Sequence, residues 1–577
     1  MPRSAPVRLW EALAVTGFDR QGALERLASE QFDVLVIGGG ITGAGVALDA
    51  ASRGLRTALV EKGDFASGTS SKSSKLVHGG LRYLRQRDLG LVYESLAERQ
   101  VLLRNAPHLV TPLPFLVPLF GRDGVVTKSV ARSFSTALWL YDLAGGWRIG
   151  SRHRRIGRDE ALRHLPTLRA DELVAGFVYL DAHADDARLT LSVLRTAVLD
   201  HGAVAANYAG VTGLVTDQMG MVCGARVSPA VMPGTTGAFG DVAEGPELSV
   251  RARVVVNATG VWADDVRAFA QGEHPHSLRP AKGVHLTVSA AALPCDIAAV
   301  LPVKGDRRSV FVVPWPGSAL TYVGTTDTDY DGRLDTPSCT PQDVDYLLGA
   351  VNASTTGRLS RADVTGVWAG LRPLLAPSGA RGLSARTADL SRRHSVRTSP
   401  EGLITVTGGK LTTYRKMAED TMRHVVAVLG DRGGARRASI TAHLRLHGAP
   451  ASPPGAASDH LEARYGTDAG RVRALAEGRP ELLETVVAGL PYLGAEVVFA
   501  VREEMAQSVD DVLSRRTRAA LQDARAAADA APGVAALMGA ELGWSPEQTA
   551  HHAEQFAASM RAGLEGAGLT AGSARPR

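Results

Sequence analysis

From residue 32 to about 425 the chain alternates short apolar runs with stretches of helical spacing, the pattern of an α/β protein. Asp33-Val34-Leu35-Val36-Ile37 is an apolar, strand-like run that gives way to glycines. A helix-compatible stretch over 44–53 follows, then a second apolar run, Thr57–Val60. Two distant runs end in the same way. Val254-Val255-Val256 stops at Asn257-Ala258-Thr259-Gly260, and the run over 402–406 stops at Thr407-Gly408-Gly409-Lys410. Strands that terminate in small residues leave room for a ligand at the carboxyl edge of a sheet. The pattern therefore predicts a discontinuous nucleotide-binding domain within 31–430, made of about 31–106, 249–279 and 364–430. β-branched runs such as 309–313 and 320–324 predict a β-rich domain inserted as about 107–248 and 280–363.

Breaker-rich stretches mark the borders. Residues 1–30 read as a leading helix or arm, 231–247 as a surface loop, and 431–457, with Ala451-Ser452-Pro453-Pro454-Gly455, as a linker. Helical spacing over 474–488, 496–506 and 517–528 predicts an all-α C-terminal domain at 458–577.

A length of 577 residues, 45% of them apolar, suits two or three filled cores. The formal charge of +5 is spread along the chain and aromatic residues make up 5%, so no nucleic-acid partner is expected. Cys223, Cys295 and Cys339 form no Cys-x-x-Cys pair, which argues against zinc and a disulfide framework and suits a reducing cytoplasm. Charges at Arg3, Arg8, Glu11, Asp19 and Glu25 break up the first 30 residues, so no signal peptide or spanning helix is expected there. Elsewhere no apolar run approaches the roughly 18 residues that cross a bilayer. Residues 129–143 carry Val130, Phe134, Leu138, Trp139, Leu140 and Tyr141 beside Lys128 and Arg132, with a basic run over 148–158. Two readings stand side by side: an interfacial helix on a membrane surface, and a core helix next to a solvated loop.

The strongest chemical signal is the turn Gly38-Gly39-Gly40-Ile41-Thr42-Gly43 between the first strand and its helix, with Glu61 closing the next strand. Gly38 permits the tight turn, Gly40 lets backbone amides approach a pyrophosphate, Gly43 lets helix and strand pack closely, and Glu61 can hold a ribose hydroxyl. The turn alone does not separate NAD from FAD.

A longer motif, Thr69-Ser70-Ser71-Lys72-Ser73-Ser74-Lys75-Leu76-Val77-His78-Gly79-Gly80-Leu81-Arg82-Tyr83-Leu84, closely resembles the FAD-dependent glycerol-3-phosphate dehydrogenases of the aerobic bacterial type. The likeness continues through Asn257-Ala258-Thr259-Gly260-Val261-Trp262, Gly324-Thr325-Thr326-Asp327-Thr328-Asp329, Gly370-Leu371-Arg372-Pro373-Leu374 and Gly408-Gly409-Lys410-Leu411-Thr412-Thr413-Tyr414-Arg415. It reaches Asp510-Asp511-Val512-Leu513-Ser514-Arg515-Arg516-Thr517-Arg518 and so covers about 32–520. The resemblance implies a Rossmann-like FAD-binding domain, a glycine-oxidase-like β-rich substrate domain and a helical C-terminal domain. It implies oxidation of sn-glycerol 3-phosphate to dihydroxyacetone phosphate, with electrons passed to a quinone at the inner face of the cell membrane. Dioxygen as acceptor, in a peroxide-producing oxidase, is the alternative, and an amine oxidase of the same fold is another. A flavin binder without turnover is disfavoured by the motif cations, and a homodimer stays open.

The resemblance also implies residue roles. His78 is the candidate base for the substrate hydroxyl, since imidazole accepts a proton near neutrality. Arg82, Arg372, Arg392 and Lys410 are the cations for a dianionic phosphate, with Arg393 able to replace Arg392. Lys410 can also stabilise charge on the reduced flavin. Asp327 and Thr328 position substrate or simply form a turn, and Asp185-Asp186-Ala187-Arg188 reads as a helix start. Cofactor contacts are expected from Gly38, Gly40, Ile41, Thr42, Gly43, Glu61 and Lys62, and from Thr69, Ser70, Ser73, Ser74, Lys75, Leu76, His78, Gly79 and Gly80. Ala258, Thr259, Gly260, Trp262, Gly408, Gly409, Lys410, Leu411 and Thr412 complete that set, and no metal ligand is expected. Arg85 departs from the family, which commonly carries Glu there.

Overall fold

The computed structural model describes residues 18–80, 88–121, 128–143, 145, 152–230, 246–303, 308–376, 393–430, 437–453, 455 and 459–569, with side chains of the helix Lys128–Leu143 described from Ser135 onward. Two sheets and a helical C-terminal region account for it.

The first sheet is built on the apolar run that the sequence singles out. Gln31–Ile37 lies between Leu248–Asn257 and Thr57–Val60, parallel to both, with Val34 beside Val254 and Thr57. Ile404–Thr407 and Val204–Ala206 extend the parallel set on either side. The strand is buried from Phe32 to Ile37, as its unbroken hydrophobicity requires. The helix Ile41–Ser52 covers one face, packed through Ala44, Ala47, Leu48 and Ala51.

Among the described residues the second sheet has ten strands and is antiparallel apart from the Ala298–Pro302 pairing with Val110–Phe120. Its longest pairings are Val110–Phe120 with Leu173–Ala184, and Leu278–Ser289 with Val364–Leu375.

Strand membership corrects the expected segment borders in three places. Residues 204–229, assigned above to the inserted domain, belong to the first sheet: Val204–Ala206 pairs with Thr57–Val60, and the hairpin Ala209–Thr216 and Val222–Pro229 adds to Leu248–Asn257. Val364–Leu375, assigned above to the nucleotide-binding part, pairs with Leu278–Ser289 from Leu278 to Val288 in the second sheet, and Leu76–Val77 pairs there with Leu173–Ala184. Hydrogen-bond partners, which a local hydropathy pattern does not encode, decide membership.

The stretch read as a linker is packed down where it is described. Asn105 donates to the Thr441 carbonyl and accepts the Leu446 amide on its own carbonyl, while the His447 amide donates to Thr196 Oγ1. Gly and Pro content marked irregular backbone there, which is a different property from a lack of contacts.

In the C-terminal region Gly494–Glu504 matches expectation, but the helix expected over 474–488 does not form: Ala469–Ala474 ends and a short turn, Pro480–Leu483, follows Arg479-Pro480. The stretch over 517–528 divides at Asp523, whose carboxylate caps Ala524–Leu542 by accepting the amides of Arg525 and Ala526. Ser545 and Gln548 form a capping box that starts Pro546–Gly566. Among the described residues no helix is long and apolar enough to cross a membrane.

Candidate active site

Five segments converge at the carboxyl edge of the first sheet around a cavity of about 360 Å³, within the roughly 300–1,000 Å³ usual for small-molecule sites. Its wall includes Gly38, Gly40, Ile41 and Thr42 from the turn, Glu61 and Lys62 from the next strand end, and Thr69, Ser70 and Ser73. Ala258, Thr259, Gly260 and Trp262 close a third side, and Gly408, Gly409, Lys410 and Leu411 a fourth. Pro373 brings the strand Val364–Leu375 of the second sheet to the same wall.

The glycines are needed as glycines. Gly38 has φ +109°, and a Cβ there would stand 2.7 Å from the Ala258 carbonyl oxygen. A Cβ on Gly43 would fall on the Gly38 carbonyl. The helix Ile41–Ser52 starts without a side-chain cap of its own, and the Ile41 amide is taken up by Ser70 Oγ at 2.9 Å. Gly40, Ile41 and Thr42 put the start of this helix in the cavity wall, and a helix N-terminus is an anion site, as a pyrophosphate requires. Glu61 accepts the amides of Gly39 and Gly63 at 2.6 and 2.9 Å, and burial raises its pKa against those two bonds. Trp262, with Lys62 Nζ 4.2 Å over its ring, has an indole N–H with no partner among the described residues. An orphaned donor, an uncapped helix and a backbone-lined slot fit a dinucleotide such as FAD.

The expected contacts beyond the wall turn a different way. Ser74 Oγ is 2.8 Å from His285 Nε2, and Lys75 is buried with Nζ 4.6 Å over the Trp368 ring and 3.4 Å from Asp186 Oδ1. Burial pushes the Lys75 ammonium down to about 8, with Arg518 adding to the shift. Leu76 is buried in the core below, and Gly80 holds φ +79°. A Cβ on Gly79 would press on Leu96 and Tyr141 at 2.6 Å.

His78 lies outside the cavity wall, its ring edge-on to Phe311 at 6.5 Å between centroids. Its amide donates to Thr412 Oγ1 at 3.3 Å. The next amide, Gly79, donates to Tyr141 Oη at 3.0 Å, and Tyr141 is itself held by both oxygens of Asp181. Arg99, fully buried, pairs with Asp181 at 2.6 Å.

Among the cations, Arg372 follows the wall toward the second sheet. Nη1 lies 3.2 Å from Asp327 Oδ1, and Nη2 donates to Thr325 Oγ1 and the Thr326 carbonyl, each at 3.3 Å. Lys410 Nζ donates to Ser95 Oγ at 2.9 Å. Thr328 is exposed on the edge strand Thr328–Asp329, paired with Lys282, and takes no part in the wall. Arg393 is exposed and paired with Asp88. Arg82, Arg85 and Arg392 lie outside the described residues.

Sequence reasoning missed His285. It is buried, stacked on the Trp368 indole at 4.7 Å, and kept neutral by burial with Lys75 and Arg372 nearby. The available signal was Lys282-Gly283-Val284-His285, a polar ring placed after a glycine in an apolar strand.

Comparison with known proteins gives the family of the chain. Residues 33–415 match the family model for FAD dependent oxidoreductases, and residues 407–549 match that for the C-terminal domain of alpha-glycerophosphate oxidase. The chain is 40% identical over 570 residues to glycerol-3-phosphate dehydrogenase 2 of Mycobacterium tuberculosis, covering 96% of this chain and 92% of that protein. It is 38% identical to the mitochondrial glycerol-3-phosphate dehydrogenase of Homo sapiens, over 89% of this chain and 71% of the relative. The crystal structure of glycerol-3-phosphate dehydrogenase from Bacillus halodurans, complexed with FAD, superposes with a TM-score of 0.72 at 31% identity, over 95% of this chain and 98% of that one.

Proposed function

The chain belongs to the FAD-dependent oxidoreductases, in their glycerol-3-phosphate dehydrogenase branch, and from that premise we propose that it oxidises sn-glycerol 3-phosphate to dihydroxyacetone phosphate. FAD bound in the cavity supplies the hydride acceptor. The observation that carries the reading is a cation, Lys410, in the wall of the backbone-lined cavity beside Gly408-Gly409, with Arg372 held by Asp327, Thr325 and Thr326 on the strand whose Pro373 reaches that wall.

The side chains divide the work. Arg372 offers a guanidinium already oriented by Asp327, Thr325 and Thr326, suited to a phosphate's paired oxygens. Lys410 adds a point charge beside the Gly408-Gly409 backbone, where it favours negative charge developing in the site. His78 takes the hydroxyl proton on its imidazole. Its backbone is oriented for this by Thr412 on one side and, through Gly79, by Tyr141 and Asp181 on the other. Arg82 and Arg392 are further phosphate ligands in this scheme, and Thr328 has no place in it.

A quinone at the membrane surface is the proposed final acceptor. Support comes from the helix Lys128–Leu143, which leaves Trp139, Leu140 and Leu143 55%, 42% and 78% exposed while burying Leu138 and Tyr141. Arg152 sits 5.9 Å from the Trp139 ring, so a cation flanks that apolar face as at a bilayer interface.

The test is the visible spectrum of the purified protein under anaerobic conditions, before and after sn-glycerol 3-phosphate. Bleaching of the flavin bands is expected; a flavin that this substrate leaves oxidised would overturn the assignment. Quinone reduction should then exceed peroxide formation on re-oxidation, and the reverse result would replace the quinone by dioxygen.

A further inference from the structure

Residues 510–518 of the C-terminal region reach the cofactor side of the molecule. Within and just after the helical turn Asp511–Arg516 stand three buried arginines: Arg515, Arg516 and Arg518. Two of them clasp Asp64, three residues beyond Glu61. Arg515 Nε lies 2.5 Å from Oδ2, and Arg516 lies 2.7 and 2.9 Å from Oδ2 and Oδ1.

Arg518 reaches further. Its Nη2 donates to the Ser71 carbonyl at 2.6 Å and to Asp186 Oδ1 at 2.7 Å, while Nη1 returns to the Ser514 carbonyl. Asp186 is a branch point. Its Oδ2 accepts the Ser73 amide at 3.0 Å and the Ser73 hydroxyl at 2.7 Å, and Oδ1 also faces Lys75 Nζ. The helix Asp186–Arg195 starts at this carboxylate, whose Oδ1 additionally accepts the Ala187 amide. Both cations that meet there hold left-handed backbone, Lys75 at φ +58° and Arg518 at φ +78°. Non-glycine residues avoid that region unless their surroundings hold them in it. The same stretch also forms cavity wall through Thr69, Ser70 and Ser73.

We propose that Arg518 is a positioning residue of the cofactor site: through the Ser71 carbonyl and the Asp186 carboxylate it fixes residues 69–75 against the glycine turn, so that the C-terminal region completes the site for FAD. The proposal rests on the reading of the cavity as an FAD site. Nη2 gives its two hydrogens to the Ser71 carbonyl and Asp186 while Nη1 is held by the Ser514 carbonyl, so one guanidinium plane sets all three directions; the Lys75 ammonium reaches the same Ser71 and Asp186 atoms at the longer 3.5 and 3.4 Å. Without Arg518 the buried Asp186 would be left to Ser73, Ala187 and the more distant Lys75. The Ser71 carbonyl would be left to the longer 3.5 Å bond from Lys75, which loosens the neighbouring Ser70 that holds the Ile41 amide.

The experiment follows FAD release from the full-length holoprotein after dilution, by the rise in free-flavin fluorescence. Arg518→Met should release FAD faster by about tenfold or more, the scale of losing two charge-assisted hydrogen bonds. Arg518→Lys should recover part of the difference, which a change in overall stability alone would not explain. Arg502→Met, which breaks an ion pair with Glu541 elsewhere in the C-terminal region, should release FAD at the wild-type rate. Should Arg518→Met not fold, Asp186→Asn keeps the size of the branch point and should show the same acceleration. Folded Arg518→Met or Asp186→Asn protein that holds FAD as wild type does would overturn the proposal alone. A wild-type chain that takes up no FAD would overturn the parent reading and the proposal together.

Discussion

In the turn at 38–43 the decisive contacts are made by backbone, and across the strand Val364–Leu375 they are made by charged and aromatic side chains. Gly38 and Gly43 stand where any Cβ meets a carbonyl, and the uncapped helix start offers amides. On the strand, the Trp368 indole carries Lys75 at 4.6 Å and His285 at 4.7 Å, and Arg372 is oriented by Asp327. Residues 69–72 lie between the two: Ser70 Oγ takes the Ile41 amide, Thr69 Oγ1 donates to the Leu371 carbonyl at 2.6 Å, and a Cβ on Gly370 would stand 2.5 Å from the Lys72 carbonyl. A backbone cradle does not titrate and tolerates no added carbon, whereas a side-chain cluster tolerates reshaping but depends on its protonation states. One half of the site is therefore set by shape and the other by charge.

The largest effect should come from adding one carbon to the cradle. Gly43→Ala places its methyl on the Gly38 carbonyl, which has nowhere to move between strand and helix, and overpacking of this kind costs about 3 kcal/mol or more. The purified variant should carry no flavin absorbance. Gly40→Ala, whose methyl meets only Ser70 Oγ at 3.1 Å, should keep a reduced share. Equal flavin content in the two would break the contrast between backbone and side-chain construction. On the charged side Arg372→Met should leave flavin content intact and lower kcat/KM for sn-glycerol 3-phosphate about 100-fold, from about 2–3 kcal/mol of lost charge-assisted bonding. A variant that loses flavin instead would place Arg372 in the cradle's half.

That division explains how much could be read in advance. The cradle was legible because its requirement falls on residue type at fixed spacing: only glycine meets the clash at Gly43, and an unbroken apolar strand announces the sheet. The motif cations Arg372 and Lys410 are proposed from family likeness, and of the two Lys410 lies in the cavity wall. His285 was not, because it reaches Ser74 and Trp368 only once Leu278–Ser289 is paired along Val364–Leu375, a register no local pattern states. The same holds for Asp186, read as a helix start, which it is, while its links to Ser73, Lys75 and Arg518 depend on segments more than a hundred residues away. The hairpin over 209–229 looked like substrate-domain material because strand composition does not name a partner sheet.

A pH series sharpens the contrast further. Lys75 faces Asp186, Asp185, Arg518, His183 and His285, with the Trp315, Tyr322 and Trp368 rings around them. Its pKa falls from 10.5 to about 8, chiefly by burial. A depressed pKa means that the unfolded chain binds this proton more tightly, so the group's contribution is fully favourable above 10.5 and is lost as pH falls toward 8. Between pH 8 and 10 wild type should gain about 2 kcal/mol relative to Lys75→Met, measured by denaturant unfolding at each pH. Parallel curves for the two proteins would mean that the ammonium is compensated more completely than the geometry around Asp186 implies.

The smallest effect is expected at the mouth of the cavity, where charge is present but water is too. Lys62 lines the wall beside Trp262 and pairs with Asp335 at 2.5 Å, reaching from the first sheet to a loop of the second. The two side chains are 49% and 42% exposed, so solvent and salt screen the pair to under about 1 kcal/mol. Asp335→Asn should therefore change FAD affinity less than about fivefold, with the difference shrinking as ionic strength rises. Lys62→Ala removes the same charge and also the cation over the indole, a contact worth about 0.5–1 kcal/mol at an exposed site. It should weaken FAD binding somewhat more than Asp335→Asn, and the part of its effect that survives high salt is the part owed to Trp262. An Asp335→Asn effect as large as that of Arg372→Met on turnover would mean that this bridge acts in the charged half of the site, and the boundary drawn through residues 69–75 would have to move outward to include it.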